Sequence, residues 1–340
     1  MLSVGRAGDM KGSLTRNIYY EKVKVPSKAR LEGLAILSGV MIALQARANG
    51  ELSVELGNSL QAALISFSSG LLIISTVAVF TPRIKKGMRE IFVAVKRGSL
   101  PKWRLFAGML GGSFVAIQTN IVPLIGVAIY SVASIAGQAV VSLLVDRIGI
   151  TGGGPKTITV RRIGAATVTV LAVFVSVIDR LDNRNFFFFA VLLALLAGAF
   201  VGVQRALNGQ INEFAKESFA TSLLNFIMGT LFLLLFLLGA ILFSPGENGF
   251  SLSSLPTGPW WIYTGGVIGV IYIAFTALIV QHLGVLIFTV LSVGGQLLGS
   301  LIVDFFHPET SNGVGVALIT GICLTYLGVI VSGERRSARA

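Results

Sequence analysis

Residues 134–146, SIAGQAVVSLLVD, return 158 positions later as residues 292–304, SVGGQLLGSLIVD. In both copies Ser, Gln, Ser and Asp recur every fourth residue, with small or apolar residues between them. On a helix that spacing puts all four polar groups on one stripe. Leu and Val coincide by composition in any apolar chain. Ser134 with Ser292, Gln138 with Gln296, Ser142 with Ser300 and Asp146 with Asp304 do not. Outward from this stretch the same shift pairs Pro101 with Pro259, Trp103 with Trp261, Gly111 with Gly269, Gly126 with Gly284 and Gly137 with Gly295. A shift of 159 pairs Gly39 with Gly198, Gln45 with Gln204, Asn49 with Asn208, Gly50 with Gly209, Phe67 with Phe226 and Gly70 with Gly229. The chain is therefore read as one unit used twice, residues 31–181 and 186–333, after a basic segment 1–30 that has no apolar core of a signal peptide.

The unit belongs in a membrane. Of 340 residues 54% are hydrophobic and only 12% charged, about half the charge of an ordinary soluble domain. A bilayer core needs roughly 20 apolar residues per helix. Apolar runs fall at 33–50, 60–80, 104–124, 126–146, 162–179, 186–204, 219–243, 260–281, 283–303 and 314–332. The expectation is an all-α polytopic membrane protein of ten transmembrane helices, five per repeat, with no room for a large soluble domain. The net charge of +12 would suggest nucleic acid in a soluble protein. Here the cations lie between apolar runs, so they are read as topology signals and no nucleic-acid partner is expected.

Of the Lys and Arg residues, 24 fall at the termini and in alternate connections, against Arg47, Arg180 and Arg184 in the others. Cations are retained on the cytoplasmic side. The expected placement is a multi-pass protein of a bacterial cytoplasmic (inner) membrane with both termini cytoplasmic. Five spans per repeat is an odd number, so the second repeat enters the bilayer inverted. Residues 244–259 and 304–313, the counterparts of two basic connections, carry no Lys or Arg, as inverted-topology repeats require. Between the second and third spans, Met88, Ile91, Phe92 and Val95 recur at helical spacing among cations. They make either a short helix on the anionic leaflet or a solvated basic loop. Trp103, Trp260 and Trp261 stand where spans begin, as interfacial aromatics do.

Charge inside a bilayer is costly, and the sequence reading places no Lys, Arg, Asp or Glu at a helix centre; the polar groups there are amides and hydroxyls. Gln45, Asn49, Ser134, Gln138, Ser142, Gln204, Asn208, Ser292, Gln296 and Ser300 are the candidates for a substrate path between the repeats. The plain alternative for the stripes is interhelical hydrogen bonding at about 0.6–2 kcal/mol per contact. For the Gln and Asn pairs it is a turn role beside Gly50 and Gly209. Gln118, Thr119 and Asn120, with only Thr276 opposite, mark asymmetry. Asp146 with Arg205 and Asp304 with Arg47 are expected as inner and outer gates, carboxylate protonation being the coupling step. His282 and His307 have no acid at ligand spacing, and Cys323 reads as a lone packed thiol, so no enzyme, metal site or cofactor is expected.

The runs ALQARANGELSVELGNSLQAALISFSSG (43–70), GVQRALNGQINEFAKESFATSLLNFIMG (202–229), GQAVVSLLVDRIG (137–149) and GGQLLGSLIVDFF (294–306) resemble the YdcZ branch of the drug/metabolite transporter superfamily. Its members often carry a single five-helix unit, and this chain is similar to two of them fused. The resemblance implies a secondary, non-ATP transporter that works by alternating access and exports a metabolite or drug-like molecule. Its partners would be a small-molecule substrate, a coupling ion (H+ or Na+) and the lipid bilayer, with the protein a monomer or homodimer. The related small multidrug transporters use a glutamate on their first helix. No acid falls in the run 33–50 here, so that mechanism does not transfer. A non-transporting membrane scaffold or sensor is the rival reading.

Overall fold

The computed structural model describes residues 27–150, 158–177, 185–243, 258–283, 285–306 and 315–332. Among them the chain forms helices α1 (Lys28–Leu56), α2 (Ser59–Phe80), α3 (Pro82–Lys96), α4 (Ala107–Ile148), α5 (Val160–Val177), α6 (Asn185–Ala215), α7 (Ser218–Phe243), α8 (Gly265–Leu283), α9 (Val285–Phe306) and α10 (Val316–Ser332). Short 3-10 turns, Lys102–Phe106 and Trp260–Thr264, lead into α4 and α8, each preceded by one of the matched prolines, Pro101 and Pro259.

At 1.5 Å per residue the 42 residues of α4 would span about 63 Å, roughly twice the 30 Å hydrocarbon core. One rod of that length does not fit. The break falls at Gly126 (φ 79°, ψ 164°), three residues after Pro123. Proline withholds an N–H from the helix, and the positive φ is one that only glycine adopts without strain. The two halves of α4 thus serve as two spans, and with α1, α2 and α5–α10 they give the ten apolar segments the sequence predicts. Four helices besides α4 are individually long and apolar enough to cross a bilayer; the shorter apolar segments lie in α5, α8, α9 and α10. Some ends differ from expectation. α1 continues through ELSVEL to a left-handed Gly57, and α6 continues to Ala215. Gln45, Asn49, Gln204 and Asn208 therefore sit inside helices and not in turns.

The two repeats pack about a pseudo-twofold axis. α1 lies against α8 and α9, α6 against α4, α2 against α7, and α5 against α10. A Cβ built on Gly39 would overlap the Ser292 carbonyl oxygen, and one on Gly198 the Ser134 carbonyl oxygen. Likewise a Cβ on Gly295 would strike the Ile36 carbonyl and one on Gly137 the Leu195 carbonyl. The shifts of 158 and 159 carry each contact onto its twin. On the axis Phe67 meets its own counterpart Phe226, with ring centroids 5.2 Å apart. Gly229 leaves room for the first ring and Gly70 for the second. Helices in lipid lack a hydrophobic drive toward one another, so close backbone approach at small residues supplies much of the attraction.

The basic connection does form a helix, α3, whose apolar side is only partly covered: Phe92 is 58% exposed. Ile84, Ile91 and Ala94 are buried against Leu207, Ile211 and Ala215 of α6 and Ala220 and Leu224 of α7. Lys85, Lys86 and Arg89 point outward. Ile91→Ala is expected to lower the stability by about 2–3 kcal/mol, read as a drop in the Tm of the purified protein. Trp103 and Trp260 are exposed, Trp260 at 79%, as an interfacial anchor requires, whereas Trp261 turns inward. Cys323 is exposed on α10 and not packed.

Candidate functional site: a polar track between the repeats

At one end of the bundle the α1 amides reach the second repeat and α4. Gln45 Nε2 donates to the Gly265 carbonyl (2.9 Å) and Asn49 Nδ2 to Gln118 Oε1 (3.0 Å). Gln45, Asn49 and Gln118 are all buried. A side chain at Gly269 would stand 2.8 Å from Gln45 Nε2, so the matched glycines Gly111 and Gly269 make room for the matched glutamines.

At the other end the equivalent amides close on α7. Gln204 Nε2 donates to Asn225 Oδ1 (3.0 Å), and Asn225 Nδ2 donates to Asn208 Oδ1 (2.7 Å) and the Thr221 carbonyl (2.9 Å). The counterpart of Asn225 is Ser66, so an identity search between the repeats passes over it. Gln204 and Asn208 are only half-buried. One end of the track is closed and its twin is more open. Asn225→Leu is expected to lower stability by about 1 kcal/mol, the scale of one interhelical hydrogen bond in lipid, measured by thermal unfolding.

Beside this second end Arg205, Gln138 and Ser134, all candidates from the sequence, meet Tyr272, which sequence reasoning missed. Arg205 Nη1 donates to Gln138 Oε1 (2.7 Å) and Nη2 to the Tyr272 hydroxyl (2.6 Å), while Gln138 Nε2 leans toward Ser134 Oγ (3.3 Å). Gln138 stands midway between Val127 and Ile148 along the second half of α4. α6 is longer than its apolar run, so Arg205 lies on that helix, toward its C-terminal end, and not in a connection. Polar neighbours from two other spans offset the cost of its partial burial.

The second stripe, Ser292, Gln296, Ser300 and Asp304, is buried throughout, whereas Gln138 is half-buried. Ser300 Oγ donates within its own helix to Leu297 (2.9 Å). Asp304 turns to the break in α4: Oδ1 accepts from Val127 N–H (3.1 Å) and Oδ2 from Ala128 N–H (2.8 Å). These are the first donors of the new helix, which otherwise lack intrahelical acceptors. Arg47 pairs with Glu51 (2.9 Å) and lies 5.8 Å over the Trp261 ring. The side chains of Ser142 and Asp146, and those of both histidines, lie outside the described residues. A groove of about 310 Å3 between α4 and α5 is lined by Val140, Leu143, Ile163 and other mainly apolar residues; it is separate from the polar track.

Two segments of the chain, residues 31–175 and 189–331, each match the profile of a family described as "Putative inner membrane exporter, YdcZ". No curated protein matches the chain.

Proposed function

The chain belongs to the YdcZ family of inner membrane exporters, and from that premise we propose that it is a secondary transporter exporting a small solute by alternating access between its two inverted repeats. The observation that carries the reading is unequal exposure of equivalent groups. Gln45, Asn49 and Gln296 are buried, while their twins Gln204, Asn208 and Gln138 are half-buried. Two halves of like sequence holding different conformations are what alternation needs, since exchanging them moves the opening from one face to the other. Both termini are assigned to the cytoplasm by the excess of cations on one side. Flux would be driven by a gradient of H+ or Na+ or be facilitated only.

The test is solute flux into proteoliposomes across a metabolite and drug panel under imposed pH or Na+ gradients. Gln138→Ala and Gln296→Ala are each expected to cut saturable flux about tenfold, the equivalent of one lost hydrogen bond. Folded protein that shows no saturable flux returns the weight to a scaffold or sensor. Orientation is tested by labelling Lys86→Cys and Glu247→Cys in a Cys323→Ala background. Opposite sides are expected, and labelling from one side would overturn the inversion.

A further inference from the structure

Arg205 is a half-buried cation inside the bundle. Arg47 has Glu51 at 2.9 Å, but among the described residues no carboxylate pairs with Arg205. Its partners, Gln138 Oε1 and the Tyr272 hydroxyl, are neutral, and its Nε is buried without an acceptor. Taking a charge partly out of water costs free energy, and neutral acceptors return only part of that. An anion bound from outside the chain would supply the counter-charge.

The hydrogen-bond inventory points the same way. A guanidinium has five N–H donors and no acceptor; two are used here. The Tyr272 hydroxyl, already accepting from Arg205, has its own O–H left to give. The site is rich in unspent donors and poor in acceptors, which suits an anion, and the planar fork of arginine matches the two oxygens of a carboxylate.

The repeat supplies an internal control. The shifts of 159 and 158 place Ala46 where Arg205 stands and Phe114 where Tyr272 stands. Ala46 is fully buried in the apolar core, with Phe114 packed against it. The fold forms the same junction in the first repeat, around the buried Gln296, without an arginine. The departure from symmetry makes one site, on one side of the axis.

We propose that Arg205, with the Tyr272 hydroxyl and Gln138, binds the carboxylate of a small organic anion, which is the transported solute. This rests on the transport reading and narrows it to a substrate class. The test compares thermal unfolding of the purified protein in sodium benzoate, disodium succinate and benzylamine hydrochloride at equal ionic strength, followed by flux of the same three solutes into proteoliposomes. Benzoate or succinate is expected to raise Tm and benzylamine to leave it unchanged. Arg205→Gln should abolish the anion shift and, by removing an uncompensated charge, leave the ligand-free Tm at or above wild type; a merely structural arginine would lower it. Arg205→Lys should keep the shift with apparent affinity weakened about tenfold, and Tyr272→Phe should weaken it several-fold, which keeps the test open if Arg205→Gln does not fold. An anion shift that survives Arg205→Gln and Tyr272→Phe overturns the site, as does the absence of any anion-specific shift. Anion binding that depends on Arg205 without flux defeats the transport reading and leaves the site standing. Saturable flux of benzylamine that Arg205→Lys and Tyr272→Phe do not alter defeats the site and leaves transport standing.

Discussion

Gly39→Leu and Gly198→Leu are each expected to leave little correctly assembled protein, at a cost of about 3 kcal/mol or more. Overpacking a filled core costs about 1–3 kcal/mol where side chains can yield. At these positions the atom met first is a backbone carbonyl oxygen, of Ser292 in one case and Ser134 in the other. No rotamer change moves it, so the helices must separate and give up the small-residue contact that holds them in lipid. Thermal unfolding and size-exclusion monodispersity read the loss. Gly209→Ala is the control: nothing lies within 4 Å of a Cβ there, and exchanging Gly for Ala inside a helix gains up to about 1 kcal/mol. Because the two sites are twins, they should fail together. If one tolerates leucine at wild-type Tm and the other does not, the twofold packing is wrong.

The same pair shows how much was legible beforehand. Gly39 and Gly198 surfaced as a repeat match, and the number and sequence position of the spans followed from apolar runs alone, because both depend on local composition. Which atoms the glycines approach is a tertiary fact that no single-helix pattern holds. Arg205 was legible as a site residue, but its pairing with Gln138 and Tyr272 was not, because they arrive from two other helices. Asn225 was invisible because its twin is Ser66, and comparison between the repeats finds only what they share. The α3 amphipathic pattern was legible as a helix. Its partner was not, since an apolar stripe among cations reads alike whether it faces lipid or the α6 and α7 surface holding Leu207 and Ala220. Functional asymmetry between repeats is thus the part that repeat-based reading is least able to supply.

Asp304→Ala is expected to cost about 3–5 kcal/mol, since breaking a buried charged contact from one side strands its partners. Both carboxylate oxygens serve N–H groups at the start of the second half of α4, in a buried place where water cannot replace them. Each orphaned donor costs about 1–3 kcal/mol. Asp304→Asn keeps one acceptor oxygen but loses the negative charge that favours a helix N-terminus, so it should fall between wild type and Asp304→Ala. A gating carboxylate predicts otherwise: its asparagine variant would unfold like wild type and fail only in flux. Tm and proteoliposome flux measured on the same preparations separate the two. Stability falling in the order wild type, asparagine, alanine marks Asp304 as the cap that makes one long apolar helix into two spans. Wild-type stability with abolished flux in both variants would instead make the backbone contacts incidental and return Asp304 to the gate.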